Sequence, residues 1–231
     1  MALRPWSDIP RPVLLVLALA LAAQLCWRAP ASATAAPALA PAMPAALGRL
    51  ASLGEPVALA RVLMLYVQSA EGRQSFNHMD YAVLVDWLNL IATLDPRGQY
   101  PFMAASQVYA AASDPARTRL MLDFVHARFA DDPDRRWPWL AHAALVARHR
   151  LHDLPLALRY AHEIRTLATP ARLPAWAQQL EVFMLEDMNE ADSARALIGA
   201  LLASGQVTDP RELAFLARRL EQLQAPQPQR R

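Results

Sequence analysis

Apolar residues between positions 55 and 224 recur at the three- and four-residue spacing of amphipathic helices, and short polar segments separate these stretches. The predicted helices follow one another in pairs, which we number as hairpins 1 to 4. Hairpin 1 combines a helix over 55–69 with a helix over 79–94. The second helices of hairpins 2 to 4 are predicted over Ala116–Ala130, Leu156–Leu167 and Ala191–Leu202. A last helix runs from Pro210 to Gln224.

Regularly spaced prolines mark the ends of the hairpins: Pro96, Pro133, Pro170 and Pro210. The first three are 37 residues apart each time, and the fourth follows after 40. A large apolar residue precedes a second proline early in hairpins 2 to 4, at Pro101, Pro138 and Pro174. Proline suits the first helical position because its φ is fixed and its missing N–H has no intrahelical partner there. We therefore expect the first helices of hairpins 2 to 4 to begin at these positions.

A polar break divides each of hairpins 2 to 4, at Ser113–Pro115, His152–Pro155 and Asp187–Glu190. Short polar side chains at such breaks accept N–H bonds and cap the helix that follows. Helix, turn and helix at a period in the thirties is the signature of an α-solenoid. The predicted fold class is therefore all-α, an α-α superhelix of helical hairpins.

Residues 156–170 resemble the second helix and closing proline of the tetratricopeptide-repeat family. Leu94-Asp95-Pro96 and Asp132-Pro133 resemble the same closure. The resemblance covers roughly residues 55–205. It implies a superhelical fold and a general role in binding other proteins.

Composition supports one helical domain and excludes some functions. The chain has 231 residues, 55% of them hydrophobic, and six glycines. This composition favours helix over sheet. All 23 basic residues are arginine, which indicates a GC-rich bacterial genome, so we give clusters such as Arg135-Arg136 no functional weight. The formal net charge is only +2, with acids interleaved among the bases, and this predicts no nucleic-acid partner.

The N-terminal region predicts export. A cytoplasmic stub, residues 1–11, precedes an uncharged apolar stretch over residues 12–27, which would be about 24 Å long as a helix. One interpretation is a membrane anchor, with Trp27 at the far interface. The alternative is a secretory signal cleaved near Ala31-Ser32-Ala33. The first places the protein in the bacterial inner membrane with its N-terminus in the cytoplasm and its body in the periplasm. The second gives a soluble periplasmic protein.

The remaining chain is divided by composition. Residues 28–54 are rich in Ala and Pro and are predicted to form an extended linker. Residues 55–224 form the helical repeat domain, and residues 225–231 a disordered tail.

The sequence predicts no catalytic residue, no cofactor site and no metal site. The sequence has no Gly-rich phosphate loop and no zinc-protease or C-x-x-C motif. His142, His149 and His152 could share a helix face, but we interpret them as solvated positions. Glu163, Glu181 and Glu186 are interpreted as solvated acids, and the tryptophans Trp87, Trp137, Trp139 and Trp176 as packing between hairpins.

A column of polar residues is the one candidate binding site. Aligning the first helices on their prolines places Ala105, His142 and Gln178 in one column, and Ser106, Ala143 and Gln179 in the next. Polar residues recurring on an inner helix face suit a groove that binds a peptide. Ser106, His142, Gln178 and Gln179 are therefore the predicted partner-binding residues.

The function expected from these features is that of a membrane-tethered, periplasm-facing scaffold that binds a protein or peptide, for instance as an accessory or assembly factor of a cell-envelope complex. The chain is not expected to be an enzyme. A helical cell-envelope hydrolase and a soluble periplasmic binding protein are the alternatives.

Overall fold

A computed structural model describes residues 18–19, 21–22, 39–71, 79–205 and 207–224 of the chain. The chain divides into two parts, Met1–Pro37 and Ala38–Arg231. In the first part, residues 18–19 and 21–22 are helical and exposed. The rest of the predicted apolar stretch 12–27 and the predicted tail 225–231 lie outside the described residues.

The second part is all helical over its described residues, with eleven α-helices in chain order. Helices α1 to α3 span Ala45–Ala51, Pro56–Glu71 and Tyr81–Leu94. Helices α4 to α7 span Tyr100–Met103, Pro115–Phe129, Pro133–His149 and Leu154–Leu167. Helices α8 to α11 span Ala175–Gln178, Leu180–Asp187, Ala191–Ala203 and Pro210–Gln224. A π-helical turn over Ala104–Val108 and a 3-10 turn over Tyr109–Ala111 continue α4, and a 3-10 turn over Pro170–Arg172 precedes α8.

The body begins earlier in the chain than the sequence predicts. Within the predicted linker 28–54, Leu39 is buried and Trp87 donates its indole N–H to the carbonyl of Ala40 at 2.7 Å. Gly48 of α1 packs so closely on α3 that a Cβ there would lie 3.0 Å from Leu90 Cδ1. Residues 39–54 thus belong to the helical body, because a few apolar and small residues within the Ala/Pro-rich composition fit against α3.

Proline is placed differently at the first helix of each of hairpins 2 to 4. Pro101 lies in the first turn of α4, and Pro174 directly precedes α8. In hairpin 3, however, α6 already starts at Pro133, and Pro138 lies inside the helix. The prediction that this helix begins at Pro138 is wrong, because the closing proline itself takes the first helical position after Asp132.

The polar breaks cap the second helices of hairpins 2 and 3 as predicted. Asp114 accepts the N–H of Ala116 at 2.9 Å, and Asp153 accepts that of Leu156 at 3.0 Å. In hairpin 4 the break ends α9 instead of capping α10. Asn189 has a positive φ of 62°, and the next N–H, of Glu190, bonds to the Leu185 carbonyl at 2.9 Å. This is the arrangement with which a left-handed residue terminates a helix.

Two hydrophobic clusters form the core of the body. The larger runs from Leu39 to Met184 and includes the fully buried Phe102, Tyr109 and Phe129. The smaller joins α9, α10 and α11 through residues such as Ile198 and Leu216. Among the described helices none is by itself long and apolar enough to span a membrane, although α1 and α2 would pass as a pair bent by 112°.

Polar contacts between the hairpins join residues about one period apart. Arg136 bonds to Pro96 across 40 positions, and Trp139 Nε1 donates to Gln99 Oε1 at 2.8 Å, also across 40. Further contacts of this kind join His126 to Glu163 and Arg148 to Asp187, and a contact over a similar separation joins Asp134 to Thr169 within hairpin 3. The separation matches the 37-residue proline period, so the all-helical body has contacts compatible with a helical repeat.

Candidate functional site

The first helix of hairpin 2 changes its winding at the predicted polar column. Ser106 lies in the π-helical turn and is buried, with its hydroxyl 3.3 Å from the Met103 carbonyl. Gln107 and Val108, the next two residues, are exposed. The wider turn thus buries Ser106 and turns its two neighbours outwards.

Ser106 and His142 line one cavity of about 270 Å³. Hairpin 2 contributes Ser106 and Gln107 to the wall, and α6 contributes His142, Leu145 and Val146. The first helices of two successive hairpins therefore build this cavity together. Its walls combine apolar side chains with a few polar groups, which is the usual composition of a ligand pocket. We call it the His142 cavity.

Burial sets the charge of His142. The side chain is half-buried, and the loss of solvent lowers the pKa of His142 below its ordinary value. The imidazole is therefore neutral near pH 7 and offers one donor and one acceptor to a bound group. His149 lies at the same cavity and is exposed.

Arg150 is part of the wall of the His142 cavity. Its guanidinium donates to the carbonyls of Ala110, Ala111 and Ala112 at 2.8 to 3.1 Å. These carbonyls end the first helix of hairpin 2, where intrahelical donors are missing. Arg150 thus fixes the wall of the cavity in place.

The two glutamines of the predicted column do not join Ser106 and His142. Gln178 donates its side-chain amide to the carbonyls of Pro170 and Leu173, both at 3.1 Å, and so fastens the 3-10 turn. Gln179 is buried at the junction of α8 and α9 and lines a separate cavity of about 400 Å³. This second cavity also contains Trp176, which is 50% exposed, and Phe215 of α11.

Three of these four tryptophans connect successive hairpins, whereas Trp87 packs inside hairpin 1. Trp137 and Trp176 meet edge to face, with ring centroids 5.5 Å apart. Trp139 bonds to Gln99 of the preceding hairpin, and Trp87 packs against Tyr66 at 5.2 Å. Packing between helices accounts for these rings, and Trp176 keeps a partly free face.

The glutamates considered in the sequence all have cationic or histidine partners. Glu163 pairs with His126 at 2.8 Å, and Glu186 with Arg219 at 2.5 Å. Glu181 is buried and contacts His162 at 2.9 Å and also Arg165, so its interpretation as a solvated acid is wrong. Their contacts join neighbouring helices. Over the described ranges, no group of three His, Cys, Asp or Glu side chains is arranged to hold a metal ion.

The sequence interpretation missed a cavity of about 430 Å³ rich in arginine. Arg97 of the turn after α3 and Arg135 at the start of α6 meet there across 38 positions. This cavity was not predicted because arginine clusters were attributed to codon bias and were given no functional weight. The position of Arg97 one residue after Pro96, and of Arg135 two residues after Pro133, was the pattern that could have revealed it.

Comparison with known proteins gives no match: neither a protein-family model, nor a curated protein, nor a solved structure matches this chain.

Proposed function

We propose that the helical body is a tetratricopeptide-like superhelical scaffold that binds a polypeptide partner along the first helices of its hairpins. The observation that carries the proposal is the His142 cavity, which two successive first helices build together. Helical repeat proteins use such inner helix surfaces to bind peptides. Apolar side chains in the wall suit a partner's side chain, and His142 and Ser106 add hydrogen-bonding groups.

The π-helical turn over Ala104–Val108 supports this location. Such turns cost regular hydrogen bonding and are found frequently at functional sites. Here the turn leaves Gln107 exposed in the wall of the cavity, where a partner can reach it.

Site-directed photo-crosslinking in cells tests the proposal. A photoreactive amino acid replaces Gln107, and a matched control replaces Ala127, which is exposed on α5. We expect a discrete crosslinked protein from position 107, and a lower yield when His142→Leu is added. Equal crosslinking from both positions, or none from position 107, would contradict a partner site at this cavity.

The second element of the proposal is attachment to the bacterial inner membrane by residues 12–27, with the body in the periplasm. Exposed leucines on α1, on the turn that follows it and on α2 support it. Leu50 and Leu53 are 75% and 93% exposed, and Leu65 of α2 is 65% exposed. Exposed apolar patches mark contacts with proteins or membranes, and these follow closely in sequence after the apolar stretch. A tether of this kind raises the concentration of the scaffold near envelope partners.

Two measurements test the tether. A mature protein that begins near Thr34 would show that the N-terminal segment is cleaved and the body released. An intact N-terminus in the membrane fraction supports the anchor. Alkaline phosphatase fused after the body is expected to be active, since the enzyme works only after export. Any soluble fragment for binding studies should begin near Ala38, where the helical body starts.

A further inference from the structure

The arginine-rich cavity lies between α1, the end of α3 and the start of α6. Its lining includes Arg49, Arg97, Arg128, Arg135 and Arg136 together with Asp131 and Asp132. Five guanidinium groups and two carboxylates give the cavity a formal charge of +3, more than the +2 of the whole chain. A concave surface of one dominant charge sign attracts ligands of the opposite sign.

Three of the five arginines hold the walls. Arg128 donates to Asn89 at 3.0 Å and to the Thr93 hydroxyl at 3.1 Å. Arg135 pairs at 2.6 Å with Asp132, which lies three residues earlier and therefore about one helical turn away. These contacts keep the positive groups in fixed positions.

Arg136 is the third of these arginines and the only one that is buried. Its guanidinium bonds to the carbonyl of Pro96 at 3.1 Å and to Asp131 at 2.9 Å. It therefore belongs to the framework of the cavity and is not free to bind a ligand.

Arg49 and Arg97, unlike the other three arginines, do not hold the walls of the cavity. Both are exposed, and they come from separate segments, α1 and the turn after α3. The two acids of the cavity pair with the other arginines, which leaves Arg49 and Arg97 without an acidic partner among the described residues. Two unneutralised guanidinium groups thus border a cavity that is already positive.

We propose that this cavity binds an acidic segment of a partner polypeptide, with its side-chain carboxylates on Arg49 and Arg97. Guanidinium groups bind carboxylates through two parallel hydrogen bonds. The free charges sit on separate segments, which suits carboxylates spaced along a chain. A compact dianion such as phosphate placed among the inner arginines would also face the oxygens of Asp131 and Asp132. Extended acidic peptide therefore fits the charge distribution better than a single small anion.

This site is independent of the His142 cavity, since the two share no lining residue. A lack of crosslinking at Gln107 would therefore be no evidence against the acidic-peptide site. Conversely, failure of acidic-peptide binding does not affect the His142 cavity.

Fluorescence anisotropy of full-length protein with a fluorescein-labelled hexaglutamate peptide tests the proposal. We expect binding at about 50 mM salt that weakens at about 300 mM, because salt screens exposed charges. The Arg49→Gln/Arg97→Gln double variant should lower the affinity about tenfold, with an unchanged circular dichroism spectrum. A hexaglutamine peptide should not bind.

The matched control is the Arg211→Gln/Arg218→Gln double variant, which loses the same charge from exposed positions on α11. It should retain affinity within about twofold of the wild type. An equal loss of affinity in both double variants would show that the peptide binds by general electrostatic attraction, and would overturn the proposal of a specific site. Displacement of the peptide by an equal concentration of inorganic phosphate would also overturn it, by assigning the cavity to a compact anion.

Discussion

The guanidinium of Arg136 donates a hydrogen bond to the main-chain carbonyl of Pro96, 40 positions earlier in the chain. The same group lies 4.4 Å from the centre of the Phe102 ring. A buried cation is costly unless it is paired, and here Asp131 and main-chain carbonyls surround it. One side chain of hairpin 3 thus holds both the end of hairpin 1 and the start of hairpin 2.

Replacing this arginine should destabilise the body. Arg136→Leu leaves the Pro96 carbonyl without its donor and removes the contact with Phe102, so we expect the free energy of unfolding to fall by about 2–3 kcal/mol. Urea denaturation followed by circular dichroism measures it. The control is Arg135→Leu, which removes an adjacent exposed ion pair and should cost less than about 1 kcal/mol. Similar losses in both variants would contradict the role of Arg136.

Acid should weaken the contact between Asp134 and Thr169. The main-chain N–H of Thr169 at 2.7 Å and its hydroxyl at 3.0 Å lower the pKa of Asp134. A lowered folded pKa means that stabilisation is present above the unfolded pKa of about 4 and is lost as pH falls through the folded value. Asp134→Asn should therefore reduce stability more at pH 7 than at pH 3, in urea denaturation at both values.

The control for this pH dependence is Asp192→Asn. Asp192 has a side chain that is 90% exposed and, within the described part of the chain, pairs with Arg195 one turn away. We expect little difference between pH 7 and pH 3 for this variant. A pH-independent effect of Asp134→Asn would show that its charge does not matter.

His142 should make the body sensitive to mild acid. Burial lowers the pKa of His142, so the unfolded chain takes up a proton near pH 6.5 while the folded chain does not. The folded state therefore loses stability as pH falls below about 6.5, down to the folded pKa. We expect the drop in Tm between pH 7.5 and pH 5 to be smaller in His142→Gln. The exposed His149→Gln should behave like the wild type, and a matching reduction there would contradict the assignment.

The smaller hydrophobic cluster should respond to mutation separately. Leu216 of α11 is buried in it, and Leu216→Ala should cost about 2–4 kcal/mol. Hydrogen exchange should become faster in α9 to α11, with α3 to α7 unchanged. Leu213→Ala, at a partly buried position of the same helix, should have a smaller effect. Uniform loss of protection along the chain would indicate that the two clusters unfold together.

Local chemistry explains which parts of the fold were predictable. Asp114 and Asp153 cap α5 and α7 because short acidic side chains reach the free N–H groups of a helix start wherever they occur. The π-helical turn was not predictable, since Ala104–Val108 contains no residue that prefers it. Full burial of the flanking Phe102 and Tyr109 fixes this turn through tertiary packing. The start of the body was missed because Leu39 and Gly48 are single residues in an Ala/Pro-rich segment.

The candidate sites, too, could be predicted only in part from the sequence. Alignment of the first helices brought Ser106 and His142 to one cavity because these helices lie next to each other at the proline period. It failed for Gln178 and Gln179 because the first helix of hairpin 4 is broken at Gln179, where α8 ends and α9 begins. The arginine-rich cavity exists only after the hairpins pack, so no local window of the sequence contains it.

Contacts that join each hairpin to its neighbours have a mechanical consequence. Force applied between the N-terminal segment and a partner held at His142 would pass through α1 to α6 in series. Helices α9 to α11 lie beyond that point of attachment and would carry no load. The Arg136–Pro96 bond lies on the loaded path, so it would resist extension while the C-terminal helices stayed relaxed.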